Sequence, residues 1–165
     1  MHKNSFNYVD FAANTYGALN PTVNVLDVGS MDVNGCYKDI FVSRGCKYTG
    51  VDVEAGNNVD VVVDDKGVWA EIERDHYDIV VCGQCFEHAE APWELAEVIV
   101  DVCKTGGLVI IVVPWNVPVH RHPLDCWRVL PDGMVSLMSR RLGLRVIECG
   151  LNGNDTFFTG QKEAQ

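Results

Sequence analysis

The sequence predicts an α/β fold with a mostly parallel sheet, and three observations carry that prediction. Short apolar runs rich in β-branched residues end abruptly in glycine or aspartate, as at Val23–Val28, Lys47–Asp52 and Asp78–Gly83. Segments with three- and four-residue apolar spacing separate these runs, as helical crossovers between parallel strands require. Near its end the chain presents two strand-like runs, Leu144–Cys149 and Asp155–Gly160, joined by Leu151-Asn152-Gly153-Asn154, which predicts an antiparallel hairpin.

Taken in order, Ser5–Leu19 carries Phe6, Val9, Ala12, Ala13 and Tyr16 at helical spacing and stops near Gly17 or Asn20-Pro21. Val23–Val28 is the first strand, and the chain then loosens into Gly29-Ser30-Met31-Asp32-Val33-Asn34-Gly35. Gly29 permits close backbone approach or a positive φ, Ser30 and Asn34 offer hydrogen-bonding groups, and Gly35 is placed to begin the next helix. That helix is predicted over Cys36–Arg44, with Gly45 as a left-handed terminator. Lys47–Asp52 is the second strand, and a carboxylate at its end can accept hydrogen bonds from both hydroxyls of a ribose. Val53 then offers an apolar side chain to a flat ring, or simply packs its loop. Val59–Asp65 is the third strand, and Asp65 is also a candidate N-cap for a short helix over Lys66–Glu71.

Asp78–Gly83 is the fourth strand, followed by the loop Gln84-Cys85-Phe86-Glu87-His88. Pro92–Lys104 has proline in its first turn and an apolar stripe of Leu95, Val98, Ile99 and Val102, with Thr105-Gly106-Gly107 as a stop. Leu108–Val113 is a buried fifth strand. The stretch Pro114–Pro131 has no regular period, yet it holds two tryptophans and four prolines, which argues for an ordered flap rather than disorder. Pro131-Asp132 then opens a helix through Met134, Leu137, Met138 and Leu142, closed by Gly143.

The 165 residues suit one domain over 1–165, with no compositional shift that would mark a linker. No apolar run approaches the roughly 20 residues of a membrane span, and the first residues lack a signal peptide's apolar core. A soluble, cytoplasmic protein without membrane contact is therefore expected. The formal charge of −10 repels phosphate backbones and argues against a nucleic-acid partner. Seven cysteines, an odd number spread through strands and helices, fit reduced thiols better than disulfides. Cys82-Gly83-Gln84-Cys85 has no second pair to make it a metal site, and His120, His122 and Cys126 lack the usual zinc spacings, so no metal is expected. The sequence carries no reading of oligomeric state.

One resemblance organises these pieces. The Asp27-Val28-Gly29 loop, Asp52, Val61-Val62-Val63-Asp64-Asp65, Tyr77–Cys82 with Glu87-His88, and Lys104–Ile110 resemble, in order, the motifs of the class I S-adenosylmethionine-dependent methyltransferases. The resemblance covers nearly the whole chain and implies a Rossmann-like three-layer sandwich. It also implies S-adenosylmethionine as cofactor, held by Asp27, Gly29, Ser30, Asn34, Gly35, Asp52, Val53, Asp64, Asp65, Gly83 and Gln84. Asp64 matches the acceptor for the adenine amino group better than Asp65, whose backbone N–H would read the ring. The family's loop has glycine at alternate positions, whereas Met31 and Val33 stand between Gly29 and Gly35 here. That pattern also disfavours a nicotinamide dehydrogenase, whose Gly-x-Gly-x-x-Gly loop admits a pyrophosphate.

His88 faces the acceptor side in this resemblance, either as a base, since its ordinary pKa of about 6.5 lies near working pH, or as a brace for its loop. The segment His122-Pro123-Leu124-Asp125-Cys126-Trp127-Arg128 resembles one found at this place in small methyltransferases. His120, His122, Trp127 and Arg128 are accordingly candidates for binding a small-molecule acceptor. Alternatively Trp115 and Trp127 pin the flap and Arg128 pairs with Asp125. A cofactor-binding module that does not transfer methyl groups is the competing function.

Overall fold

The computed structural model describes residues 3–63 and 69–164. Its core is a seven-stranded sheet in the order β3-β2-β1-β4-β5-β7-β6. The strands are β1 (Asn24–Val28), β2 (Lys47–Asp52), β3 (Val61–Val62), β4 (Tyr77–Gly83), β5 (Cys103–Pro114), β6 (Leu144–Asn152) and β7 (Asp155–Lys162). Pairings among β1 to β5 are parallel, while β7 runs antiparallel to both β5 and β6. This is the predicted α/β, mostly parallel class with its terminal hairpin.

Period-two alternation divides the apolar strand residues between two faces. Val25, Ile79, Val81, Ile110 and Val112 meet helices α1 (Lys3–Tyr16) and α2 (Lys38–Val42) through Val9, Ala12, Ala13, Ile40 and Phe41. Leu26, Val80, Val109 and Ile111 meet α3 (Pro92–Val102), α4 (Pro131–Val135) and the π-helical segment Ser136–Arg141 through Ile99, Met134 and Met138. The result is the three-layer arrangement.

The boundaries differ from the expected ones for identifiable reasons. Gly35 does not begin a helix: its φ is +104° and its N–H donates to Asp32 Oδ1 at 2.7 Å, so the chain turns and α2 starts only at Lys38. At the other end Gly45 (φ +78°) terminates α2 as expected, with the Cys46 N–H reaching back to Phe41 O at 3.2 Å. The third strand shrinks to two residues because the Asp60 side chain takes the Gly50 N–H at 2.8 Å and Asn58 adopts a φ of +68°, which delays pairing until Val61. Helix α3 ends at Val102 and β5 begins at once. The Asp75 and His76 N–H groups take the carbonyls of Asp101 and Val102, and Thr105 N–H goes to Asp75 Oδ1. The Thr105-Gly106-Gly107 stretch therefore lies in a strand. The helix expected through Leu142 divides into one α turn and a π-helical segment, and the hairpin loop tightens to Gly153-Asn154. Asp64, Asp65 and the first half of the short helix expected after them lie outside the described residues.

Candidate functional site

Sheet order reverses between β1 and β4, which opens a crevice beyond their carboxyl ends. Gly29, with φ +74°, closes β1 there, and a Cβ at that position would stand 2.7 Å from Cys85 Cβ and Sγ. Gly29 thus satisfies both reasons for glycine, but the close neighbour is the loop after β4. Asp52 closes β2. Its Oδ2 accepts the Met31 N–H at 3.1 Å and its Oδ1 the Val53 N–H at 2.8 Å, so the half-exposed carboxylate is oriented while keeping acceptor capacity. Met31 lies along Gly56, and Val53 is 52% exposed beside Asp52.

Ser30 and Asp27 make hydrogen bonds within the protein. Ser30 is buried, and its Oγ donates to Asn58 O at 2.9 Å. Asn58 in turn donates to Ser30 O and to the Tyr48 hydroxyl at 2.9 and 2.7 Å. Asn34 and Gly35 sit on the exposed part of the loop. Asp27 is 1% exposed, and its Oδ2 accepts the Tyr48 hydroxyl at 2.6 Å. Burial pushes this carboxyl up from 3.8 to about 7; the Tyr48 bond opposes the rise and the nearby Asp52 charge adds to it.

That shift carries a pH dependence of stability. The unfolded chain releases the Asp27 proton near 3.8, while the native carboxyl keeps it to about 7. The Asp27 contribution is therefore complete below the lower value and lost as pH rises through the higher one. Asp27→Asn is expected to lessen the fall in urea midpoint between about pH 4 and about pH 8 relative to wild type. Equal falls in the two proteins would show that Asp27 titrates alike in both states.

At the end of β4, Tyr37 covers Gly83 so closely that a Cβ there would stand 2.0 Å from Tyr37 Oη. Tyr37 is 4% exposed, and its hydroxyl shares a 2.5 Å hydrogen bond with the buried Ser5 of α1. Gly83→Ala is therefore expected to destabilise the fold by about 1 to 3 kcal/mol, read as a lower thermal midpoint, with Tyr37 as the displaced group. Gln84 follows with φ +58°, its Nε2 donating to Asp155 Oδ1 at 3.1 Å.

Glu87 and His88 come next. Glu87 is fully buried, and among the described residues neither of its carboxylate oxygens has a hydrogen-bond partner. Burial raises this carboxyl to about 8, against opposing contributions from its own backbone N–H and from Arg128. His88 Nδ1 stands 2.5 Å from Leu124 O, and since a carbonyl only accepts, Nδ1 carries the proton and Nε2 the lone pair. Nε2 lies 3.6 Å from Glu87 Oε1. Burial lowers the His88 pKa, and the nearby His120 and His122 rings reinforce this against the Leu124 carbonyl and Asp125.

The flap closes on this loop as an ordered strap. Cys126 N–H donates to Glu87 O at 2.7 Å, Trp115 Nε1 to Gly153 O at 3.1 Å, and Thr156 Oγ1 to Val129 O at 2.6 Å. His120 Nε2 reaches to 3.8 Å from Glu87 Oε1, and the His122 ring lies 6.4 Å from that of His88. Arg128 makes two bonds to Asp125, at 2.5 and 2.8 Å, and others to Trp127 O and Pro118 O. The Arg128–Asp125 pairing is thus the one observed, and the pair holds the Asp125 carboxyl well below the usual carboxylate range. Trp127 packs edge-on against Trp93 of α3, ring centroids 5.8 Å apart. A cleft opens beside His120, between the start of α1, Val117–Val119 and Asn154. A larger cleft between α3, residues 69–74 and the end of the π-helical segment holds charges that are paired, Arg141 with Glu97 and Arg74 with Asp101.

Residues 6–149 match the family model described as a methyltransferase domain. The chain belongs to the methyltransferase-domain family. Its fold is the class I one, shared at low identity with solved structures from several organisms. One is a chain of the Haloferax volcanii complex containing the Trm112 methyltransferase activator, 15% identical, with 98% of this chain and 91% of that one covered and a TM-score of 0.75. Another is 1,6-didemethyltoxoflavin-N1-methyltransferase of Burkholderia thailandensis, solved with bound 1,6-didemethyltoxoflavin and S-adenosylhomocysteine: 14% identity, 97% and 79% coverage, TM-score 0.74. A third is an S-adenosylmethionine-dependent methyltransferase from Archaeoglobus fulgidus, 16% identical over 96% and 95%, TM-score 0.68. No curated protein matches the chain. Among the described residues of this methyltransferase, no helix is long and apolar enough to cross a membrane.

Glu87 and Asp125 stood inside motifs already singled out, but their weight in the site was not legible beforehand. A fully buried carboxylate shows itself only when two distant segments close over it. Tyr37 and Ser5 gave no sequence signal beyond an aromatic and a hydroxyl at helix starts.

Proposed function

We propose that this methyltransferase carries the methyl group of S-adenosylmethionine to an oxygen, nitrogen or sulfur atom of a small-molecule acceptor. The observation that carries the reading is the Asp52 carboxylate, oriented by two backbone N–H groups at the switch-point crevice with acceptor capacity left for a ribose. The cofactor, when bound, supplies an electrophilic methyl group on its sulfonium. Asp52 would hold the ribose hydroxyls, exposed Val53 would cover one adenine face, and Gly29 and Gly83 would line the crevice beneath. Asp27 and Ser30 support this binding from behind, through Tyr48 and Asn58.

The acceptor would enter by the cleft beside His120, next to the loop after β4. Transfer needs no nucleophile from the protein; alignment of the reacting atoms supplies most of the rate. His88, with Nδ1 bonded to Leu124 O and Nε2 as its lone-pair nitrogen, would take a proton from the acceptor. The charge of −10 favours small acceptors over nucleic acid.

The test combines a melting shift with S-adenosylhomocysteine and a mass-spectrometric screen of metabolite mixtures for products gaining one methyl group. The expected result is a ligand-dependent shift and at least one methylated acceptor. A shift without product from any acceptor class would favour a binding module, and the absence of both would overturn the reading.

A further inference from the structure

Three potential ligand atoms converge on one point at the end of β4: Glu87 Oε1 and the Nε2 atoms of His88 and His120. Both histidines have committed their Nδ1 protons elsewhere: His88 to Leu124 O at 2.5 Å, His120 to Pro118 O at 3.2 Å with Asp125 Oδ2 at 3.5 Å. Their Nε2 atoms therefore point acceptor lone pairs at Glu87 Oε1, 3.6 and 3.8 Å away, and all three atoms lie within 4.8 Å of one another. Glu87 is buried, and among the described residues neither carboxylate oxygen has a hydrogen-bond partner, so it is not a solvated surface group. A single proton on the carboxyl satisfies one of these contacts and leaves the third atom facing a lone pair. A cation satisfies all three.

We propose that Glu87, His88 and His120 bind one divalent transition-metal cation, a two-histidine, one-carboxylate set with open coordination toward the cleft. Ligand bonds of about 2.0 to 2.2 Å place tetrahedral neighbours roughly 3.4 Å apart, so the observed separations need only small side-chain shifts. His120, 43% exposed on the flap, is free to make the largest of them. The Nδ1 partners of both imidazoles are the carbonyl and carboxylate groups that orient metal-bound histidines. Two imidazoles select a borderline ion such as zinc, cobalt or iron over magnesium or calcium, which require oxygen donors. Open positions on such an ion would bind and acidify the acceptor's hydroxyl or amine. With the ion bound, the His88 lone pair is committed, and activation passes from that base to the metal. This last role rests on the methyl-transfer reading; the binding itself does not.

The full chain, stripped with a chelator and kept reduced, is titrated with Co²⁺ and Zn²⁺ by calorimetry and visible absorption, with circular dichroism confirming each variant's fold. Wild type is expected to take up one ion, giving cobalt ligand-field bands without the sulfur-to-cobalt charge transfer of a thiolate site. Glu87→Gln and His120→Ala should each weaken binding by more than about tenfold, a loss that even an outer-shell partner can bring. Cys126→Ser should leave it unchanged. The proposal is overturned if folded wild type binds neither ion stoichiometrically. It is equally overturned if binding survives both ligand variants or shows the thiolate band. S-adenosylhomocysteine melting shifts on the same samples report the methyl-transfer reading separately.

Discussion

Asp52→Ala is expected to remove most of the stabilisation that S-adenosylhomocysteine gives wild type. A ligand at 100 times its dissociation constant that binds only the folded state adds ~2.7 kcal/mol, or a rise of about 5 to 10 °C in a domain of this size. Two charge-assisted hydrogen bonds to ribose hydroxyls are together worth about 3 kcal/mol, so their loss weakens binding on the order of a hundredfold. At the same ligand concentration the stabilisation then falls to roughly 0.4 kcal/mol. Because Asp52 also receives the Met31 and Val53 N–H groups, the ligand-free variant should itself melt lower, and the shift is read against its own baseline. Asp52→Asn keeps one acceptor oxygen and should fall between the two. An equal shift in wild type and Asp52→Ala would sink the assignment of the ribose to β2.

Arg128→Ala is expected to release the flap without unfolding the sheet. Asp125, whose side chain is 1% exposed, loses both bonds from the guanidinium, and the Val117 and Pro118 carbonyls lose a donor. A carboxylate stripped of its cation seeks water, and the strap around it opens. Limited proteolysis should then cut within 115–130 faster by on the order of tenfold, because local opening sets the cleavage rate. The pair has a pH signature as well. Its contribution is present above the ordinary carboxylate value and lost only as pH falls through the lowered Asp125 value, so wild-type resistance should persist at mildly acidic pH. If turnover of an identified acceptor fell while proteolysis was unchanged, Arg128 would instead be contacting substrate.

Much of this architecture was legible before any coordinates. β-branched runs ending in Gly29, Asp52 and Gly83 located three strands and the end of the sheet where ligands bind. Gly45 and Pro92 marked a helix end and a helix start because their backbone preferences are local. The boundaries that escaped were those decided by distant partners. Nothing near Val59 announces that Asp60 will cap Gly50, or that Asp75 and His76 will capture the end of α3.

The site divides along the same line. By itself the sequence determined the fold class, the hairpin, the family resemblance and which strand ends carry carboxylates, since these follow from periodicity and from residue types at turns. Only the tertiary structure decided what those groups face. It turned Ser30 inward to Asn58, set Tyr37 over Gly83, paired Arg128 with Asp125, and brought His120 from the flap to within 3.8 Å of a buried Glu87. Burial and the direction of a lone pair arise from residues far apart in the chain closing around one point, and no local pattern encodes that closure.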